Sequence, residues 1–236
     1  MIPAIVLAGG LGTRLRSVVP DLPKPMATVA GKPFLWWVLR RLEQQGIADV
    51  YLSVGYKRDT IEDYFGDTFG ALKVHYVIED EPLGTGGAIA KAMAQIGGDE
   101  AFVLNGDTMT IVDFDELRAA GASGEADVVM AVAQLDDVAR YGAVDFEAAA
   151  PRRVTAFREK GQTGAGSINA GVYLIKRASF ERYVMPERFS FEQDFLHARL
   201  SELHVHAVPA VSQLIDIGVP DDYALAQTLV PRMVAK

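Results

Sequence analysis

The sequence predicts an α/β protein in three layers, α/β/α, with a mostly parallel central sheet. Three features carry that prediction. Short β-rich apolar runs alternate with helical patterns through the first half of the chain. A glycine-rich turn follows directly on the first buried run. The second half has more strand patterns with fewer helices between them, which implies mixed pairing in a small subregion that covers a substrate.

Taken in order, strands are expected at 4–7, 50–54, 74–78 and 101–104. Between the first two, Pro33 opens a helix whose apolar stripe is Phe34, Val38 and Leu42, and Gly46 stands where that helix should stop. Asp59, with Glu62 three residues on, resembles a capping box for the next helix. A third helix covers about 88–96. Strands are then expected at 127–133, 141–146, 154–157 and 168–175, and helices near 191–200 and 221–229. No linker divides the chain, so residues 1–236 are expected to form a single domain. The C-terminus lacks the hexapeptide repeats of an appended β-helix.

Half of the residues are hydrophobic and 23% are charged, as in a soluble globular protein. A net charge of −8 excludes non-specific binding to nucleic acid or to an anionic membrane. The charge is uneven, however: up to residue 41, Arg14, Arg16, Lys24, Lys32, Arg40 and Arg41 face only Asp21, so a small anion could bind there. Without cysteine there is neither a disulfide nor a thiolate metal site. The apolar opening is too short to span a bilayer and lacks the basic start of a signal peptide, which makes the cytoplasm the expected location.

The turn in AIVLAGGLGTRL lets backbone N–H groups approach phosphate oxygens. It is not a dinucleotide fingerprint, because Leu15 occupies the third glycine position counted from Gly10. Nor is it a P-loop, because Gly31-Lys32 is followed by Pro33. Ten residues after Arg14 comes Lys24, between Pro23 and Pro25, displayed on a stiff extended segment as a fixed charge. An ordinary turn and a solvated lysine are the plainer reading of each part alone.

AGGLGTRL, followed by LPKPM and AGKPF, resembles the nucleotidyltransferase family that activates sugar 1-phosphates, over essentially the whole chain. The stretch LRSVVPDLPKPMATVAGKP resembles most closely the branch of the D-glycero-α-D-manno-heptose 1-phosphate guanylyltransferases. The resemblance implies the Rossmann-like nucleotidyltransferase fold, with a nucleotide-binding half at about 1–110 and a sugar-phosphate-binding half at about 111–220. It implies transfer of GMP from GTP to a sugar 1-phosphate with release of pyrophosphate, with Mg²⁺ as cofactor, in capsule or lipopolysaccharide biosynthesis. A mannose 1-phosphate guanylyltransferase or another nucleotide-sugar pyrophosphorylase is the alternative within that chemistry. A non-catalytic nucleotide-sugar sensor is the alternative outside it. The oligomeric state stays open, a homodimer included.

The same resemblance assigns residues. Leu7, Ala8, Gly9, Gly10, Gly12, Thr13, Arg14 and Lys24 would hold the nucleotide, with Gly106. Glu81, Gly84 and Thr85, in the run before the third helix, would take the nucleoside; Glu79, Asp80 and Glu81 are candidate acidic acceptors for guanine, which donates at N1 and N2, although acids there also favour a helix dipole. Asp107 and Asp216 would bind the metal. The plainer reading of Asp216 is a cap for the helix near Pro220 or a pairing with a basic neighbour. Gly142, Glu159, Lys160, Asn169 and Gly171 would form the sugar-phosphate site. Arg14, Lys24 and Asp107 would carry the catalysis. His204 and His206 would share a strand face with no third zinc ligand in sight, and Trp36 and Trp37, adjacent in a helix, would pack on different sides.

Overall fold

The computed structural model describes residues 1–10, 21–122, 124–210 and 214–235. The chain begins with strand β1 (Ala4–Leu7), and a single 3₁₀ turn at Lys24–Met26 leads to the short pair β2 (Thr28–Val29) and β3 (Lys32–Pro33). There follow α1 (Phe34–Gln44), β4 (Asp49–Val54), α2 (Arg58–Phe65), β5 (Thr68–Phe69), β6 (Leu72–Ile78), α3 (Gly84–Met93), β7 (Glu100–Asn105), β8 (Thr108–Met109) and α4 (Phe114–Ala122). The second half adds β9 (Val128–Leu135), β10 (Ala143–Phe146), β11 (Val154–Arg158), β12 (Gly166–Lys176), α5 (Arg177–Glu181), a π-helix at Phe191–His197, β13 (Val205–Pro209), β14 (Ile215–Asp216) and α6 (Pro220–Val234).

Eight strands form the main sheet in the order β13-β9-β12-β7-β1-β4-β6-β5. The β7-β1-β4-β6 section is parallel, whereas β12 runs antiparallel to both β7 and β9. Side chains alternate along each strand, and both faces are apolar. Ala4, Val6, Phe102 and Leu104 pack with α1, α2, α4 and α6 on one side. Ile5, Val103, Val128 and Met130 pack with α3, α5 and the π-helix on the other. Strands covered on both faces read as continuous hydrophobic runs, and this is why they were legible in the sequence. β1 lies between β4 and β7, so successive connections leave it in opposite directions. Ligands of open α/β sheets bind in the crevice beyond the carboxyl ends of the strands at such a reversal.

The stripe of α1 is buried as expected, and Gly46 follows its last turn at φ +71°. The capping box at Asp59 does not form. Lys57, left-handed at φ 52°, takes the cap position, and Asp59 falls inside the first turn beside the helix dipole. Trp36 and Trp37 also differ from expectation, because their rings lean together edge-on with centroids 4.8 Å apart. The Trp37 indole donates to the Val29 carbonyl at 2.9 Å. Among the described residues no helix is long and apolar enough to cross a membrane. Among the described residues no group of three or more His, Asp or Glu is placed to hold a metal, and His206 is buried within β13.

A buried carboxylate ties the second half together. Asp127, just ahead of β9, accepts hydrogen bonds from the Ser179 hydroxyl at 3.0 Å, Arg182 at 2.7 Å and the His204 backbone N–H at 2.9 Å. Burial by itself would raise its pKa, but the hydrogen bonds from His204, Ser179 and Arg182 outweigh burial and hold it below the usual carboxylate value. A depressed folded-state pKa gives stability that is present above the unfolded value, near pH 4, and lost as the pH falls through the folded one. Asp127→Ala is therefore expected to cost about 2 kcal/mol at pH 7 and clearly less at pH 3. Urea unfolding at the two pH values checks this; an equal cost at both would mean that the ionised form contributes nothing.

Candidate active site

Two cavities lie beyond the carboxyl ends of β1 and β7, and they share Asn105 and Asp107. The first, of about 390 Å³, is lined by Leu7, Gly9, Gly10, Glu79, Pro82, Gly84, Thr85 and Ala88 besides the shared pair. Gly106 passes so close to β1 that its N–H meets the Leu7 carbonyl at 2.9 Å. Ala8 is buried behind the loop and donates its N–H to the Ser53 carbonyl at 2.8 Å. Gly12, Thr13 and Arg14 lie outside the described residues.

Glu79 forms a wall of this cavity, but its oxygens are engaged: Ser53 donates to one at 2.7 Å and the Leu83 N–H to the other at 3.1 Å. Glu81, the acid expected here, is exposed and does not line the cavity, although it adjoins Pro82, which does. Glycines 86 and 87 make room for a neighbouring segment. A Cβ at Gly86 would fall 2.1 Å from the Phe189 ring, and one at Gly87 would fall 2.3 Å from the Glu187 carbonyl oxygen. They let the 187–191 segment lie against the start of α3. Thr85 fastens the same segment by accepting the Phe191 N–H at 2.9 Å.

The second cavity, of about 310 Å³, gathers all five residues expected at a sugar phosphate: Gly142, Glu159, Lys160, Asn169 and Gly171. They arrive from the antiparallel pair β10–β11 and from β12. The π-helix contributes Glu192, Gln193 and His197, which sequence reasoning missed. The Asn169 amide donates to Glu192 at 3.0 Å and to the Tyr173 hydroxyl at 2.6 Å, while its oxygen accepts the Gly171 N–H at 3.0 Å. Tyr173 is fully buried, and desolvation followed by the Glu192 charge keeps its phenol protonated.

Where the cavities meet, Lys24 stands between two carboxylates. Its ammonium donates to Asp107 at 2.6 Å and to Asp216 at 3.1 Å. The acids are held together because β8 and β14 pair antiparallel with Asp216 opposite Thr108, and the Ile217 N–H reaches the Asp107 carbonyl at 3.1 Å. Asp216 does not cap α6. It accepts the Gly218 N–H at 2.8 Å, and Val219 takes the cap position without a side-chain bond. The Lys24 side chain is only 9% exposed, so it is no solvated surface group; it sits in a 3₁₀ turn rather than on an extended run. Gly218 leaves the space for it, since a Cβ there would lie 2.8 Å from the lysine nitrogen.

This cluster fits a divalent cation. One ammonium already satisfies both carboxylates, so a cation between them would too, and two acids against one lysine leave a net negative charge. Mg²⁺ seldom takes an all-protein cage; one or two carboxylates plus water and substrate phosphate are its usual ligands.

The nucleotidyl transferase family profile matches residues 3–232. The chain is 45% identical to a D-glycero-α-D-manno-heptose 1-phosphate guanylyltransferase of Aneurinibacillus thermoaerophilus, over 95% of this chain and 96% of the relative. It is 43% identical to the enzyme of that name in Campylobacter jejuni, over 93% and 96% of the two chains. Among solved structures, HddC of Yersinia pseudotuberculosis complexed with GMP-PN superposes with a TM-score of 0.83 at 40% identity, covering 96% of this chain and 98% of that one.

Removing the lysine cation exposes the role of the two acids. Lys24→Met leaves Asp107 and Asp216 facing each other, and its melting temperature should fall by about 3 °C, the equivalent of roughly 1 kcal/mol for partly exposed charges. Added Mg²⁺ should restore that loss while changing the wild type less. Thermal unfolding with and without Mg²⁺ reads both effects, and identical responses in the two proteins would argue against cation binding by this pair.

Proposed function

We propose a specific reaction for this chain, which belongs to the nucleotidyl transferase family: GMP passes from GTP to D-glycero-α-D-manno-heptose 1-phosphate, giving GDP-heptose and pyrophosphate. The observation that carries this reading is Lys24, held on Asp107, which lines both cavities, and on Asp216, which lines the second. A reaction that joins two phosphates needs its charge neutralised at the junction of their sites.

In this reading the nucleotide takes the cavity after β1, which belongs to the 1–110 half, and the sugar phosphate takes the cavity of the 111–220 half. The two halves act as one domain around a shared sheet. The sugar phosphate oxygen attacks the α-phosphorus in line. It is already anionic near neutral pH, so no general base is required; repulsion between polyanions is the obstacle, and positioning with charge neutralisation overcomes it. Backbone N–H groups from Gly10 to Thr13 and the Arg14 guanidinium hold the β- and γ-phosphates. Lys24 turns from the carboxylates to the α-phosphate and the attacking oxygen. Lys160 holds the sugar phosphate, Glu159 takes sugar hydroxyls, and Asn169 takes a hydroxyl near the anomeric carbon. Asp107 and Asp216 would hold Mg²⁺, which when bound would supply charge neutralisation at the α-phosphate. A reaction that consumes GTP suits the cytoplasm.

Glu81 is the acid available to guanine. The Glu79 oxygens are engaged by Ser53 and Leu83, whereas Glu81 makes no hydrogen bond or ion pair among the described residues. Located at the rim beside Pro82, its carboxylate can accept from guanine N1 and N2.

Pyrophosphate release with Mg²⁺, measured over several nucleoside triphosphates and several sugar 1-phosphates, tests the reaction. Release should be greatest with GTP and the heptose phosphate. Folded protein that binds nucleotide yet releases nothing with any pair would overturn catalysis in favour of a sensor. Lys24→Ala should lower kcat at least about a hundredfold in the same assay, as the loss of a positioned transition-state charge does. Glu81→Gln should cut the preference for GTP over ATP about tenfold, the discrimination carried by a charged hydrogen bond; unchanged base preference would remove Glu81 from the reading.

A further inference from the structure

The π-helix Phe191–His197 brings Glu192, Gln193 and His197 onto one wall of the second cavity. Its winding makes this possible. An α-helix returns to the same side every 3.6 residues, so side chains five apart diverge. Hydrogen bonds from i to i+5 widen the turn, and here the Ala198 N–H reaches the Gln193 carbonyl at 3.2 Å. Residues 192 and 197 thereby face the same cavity. This winding is rare and recurs at functional sites.

Two side chains on that wall, Glu192 and His197, are prepared for a polyol. One Glu192 oxygen is held by the Asn169 amide at 3.0 Å and by the Tyr173 hydroxyl at 3.1 Å. Its other oxygen accepts no hydrogen bond among the described residues, so a fixed carboxylate offers the cavity a vacant acceptor. The His197 ring stacks on Phe157 with centroids 4.1 Å apart and planes at 14°. The pair forms a flat surface of the kind on which the C–H face of a pyranose can rest, while the imidazole edge carries both a donor and an acceptor. Burial lowers the His197 pKa, against the pull of Glu192 and Glu159, which favours the neutral ring that can play both roles.

We propose that this wall is the sugar-specificity element of the enzyme, with Glu192 and His197 binding hydroxyls beyond those held by Glu159 and Asn169. A seven-carbon sugar has one more hydroxyl-bearing carbon than a hexose, and the wall supplies three further hydrogen-bonding side chains to meet it. This rests on the nucleotidyl-transfer reading and assigns the residues that select the sugar within it.

The test compares the full-length wild type with Glu192→Gln and His197→Phe, using GTP with either D-glycero-α-D-manno-heptose 1-phosphate or mannose 1-phosphate. Glu192→Gln should lower kcat/KM for the heptose phosphate at least about tenfold more than for mannose 1-phosphate, with the KM for GTP within about twofold of wild type. His197→Phe keeps an aromatic ring able to stack on Phe157 and removes the nitrogens; it should shift the ratio in the same direction, and it stands in for Glu192→Gln should that variant fail to fold. Equal losses for the two sugars, or a loss confined to GTP, would overturn the assignment. If the wild type turns over neither sugar, the proposed reaction fails separately. Calorimetric binding of the two sugar phosphates then decides the wall: a selective loss of affinity in the variants supports it, and unchanged affinity overturns it.

Discussion

Two carboxylates set side by side in a partly buried pocket require a cation, and the construction around Asp107 and Asp216 answers that requirement. Like charges held this close repel each other, the more so where water is partly excluded. The ladder between β8 and β14 nevertheless holds the two acids on adjacent rungs. Lys24 offsets the repulsion, and its surroundings are shaped to deliver it: buried Pro23 and Pro25 fix the 3₁₀ turn, and the missing side chain of Gly218 opens room for the ammonium. The sheet supplies the location. With β1 between β4 and β7, the crevice opens where the loop after β1 and the Asn105-to-Asp107 segment emerge together.

The same region joins the two cavities mechanically. Thr85, on the rim of the first, accepts the N–H of Phe191, the residue that begins the π-helix of the second. The Gly86 N–H bonds to the Phe189 carbonyl at 3.0 Å, and the Phe189 N–H returns to Leu83 at 3.1 Å. The loop over the first cavity and the wall of the second are therefore parts of one hydrogen-bonded unit. From the other side, Asn169 ties β12 to Glu192. A shift of the 187–191 segment would be felt in both cavities, which gives a physical route for one ligand to influence the fit of the other.

Much of the fold was legible because strands buried on both faces read as plain apolar runs, as at β1, β4, β7 and β9. The order of those strands was not, because antiparallel β12 inserts between β7 and β9 through tertiary pairing that no local pattern encodes. At the site, the expected Gly142, Glu159, Lys160, Asn169 and Gly171 converge on one cavity, and Asp107 and Asp216 meet on one cation. Glu192 and His197 escaped notice because their spacing of five matches neither helical nor strand periodicity, and only the π winding gives them a common face. The apparent capping box failed for a related reason: Asp59 and Glu62 have the right spacing, but Lys57 takes the left-handed turn that starts the helix.

An acidic chain that handles polyanions has to concentrate its positive charge, and the placing of Lys24 separates a catalyst from a binder. A protein that only recognised a finished nucleotide sugar would gain little from a lysine already neutralised by two carboxylates, since that ion pair must be broken before the ligand is held. An enzyme gains from the same arrangement. In the proposed reaction, substrates and a divalent cation held by the two acids would draw the lysine away from them, beside the Asp107 that lines both cavities. The cost of parting Lys24 from Asp107 and Asp216 would then be met only with both the cation and the anionic ligands in place, so that charge stabilisation would be fully available only in the complex that reacts.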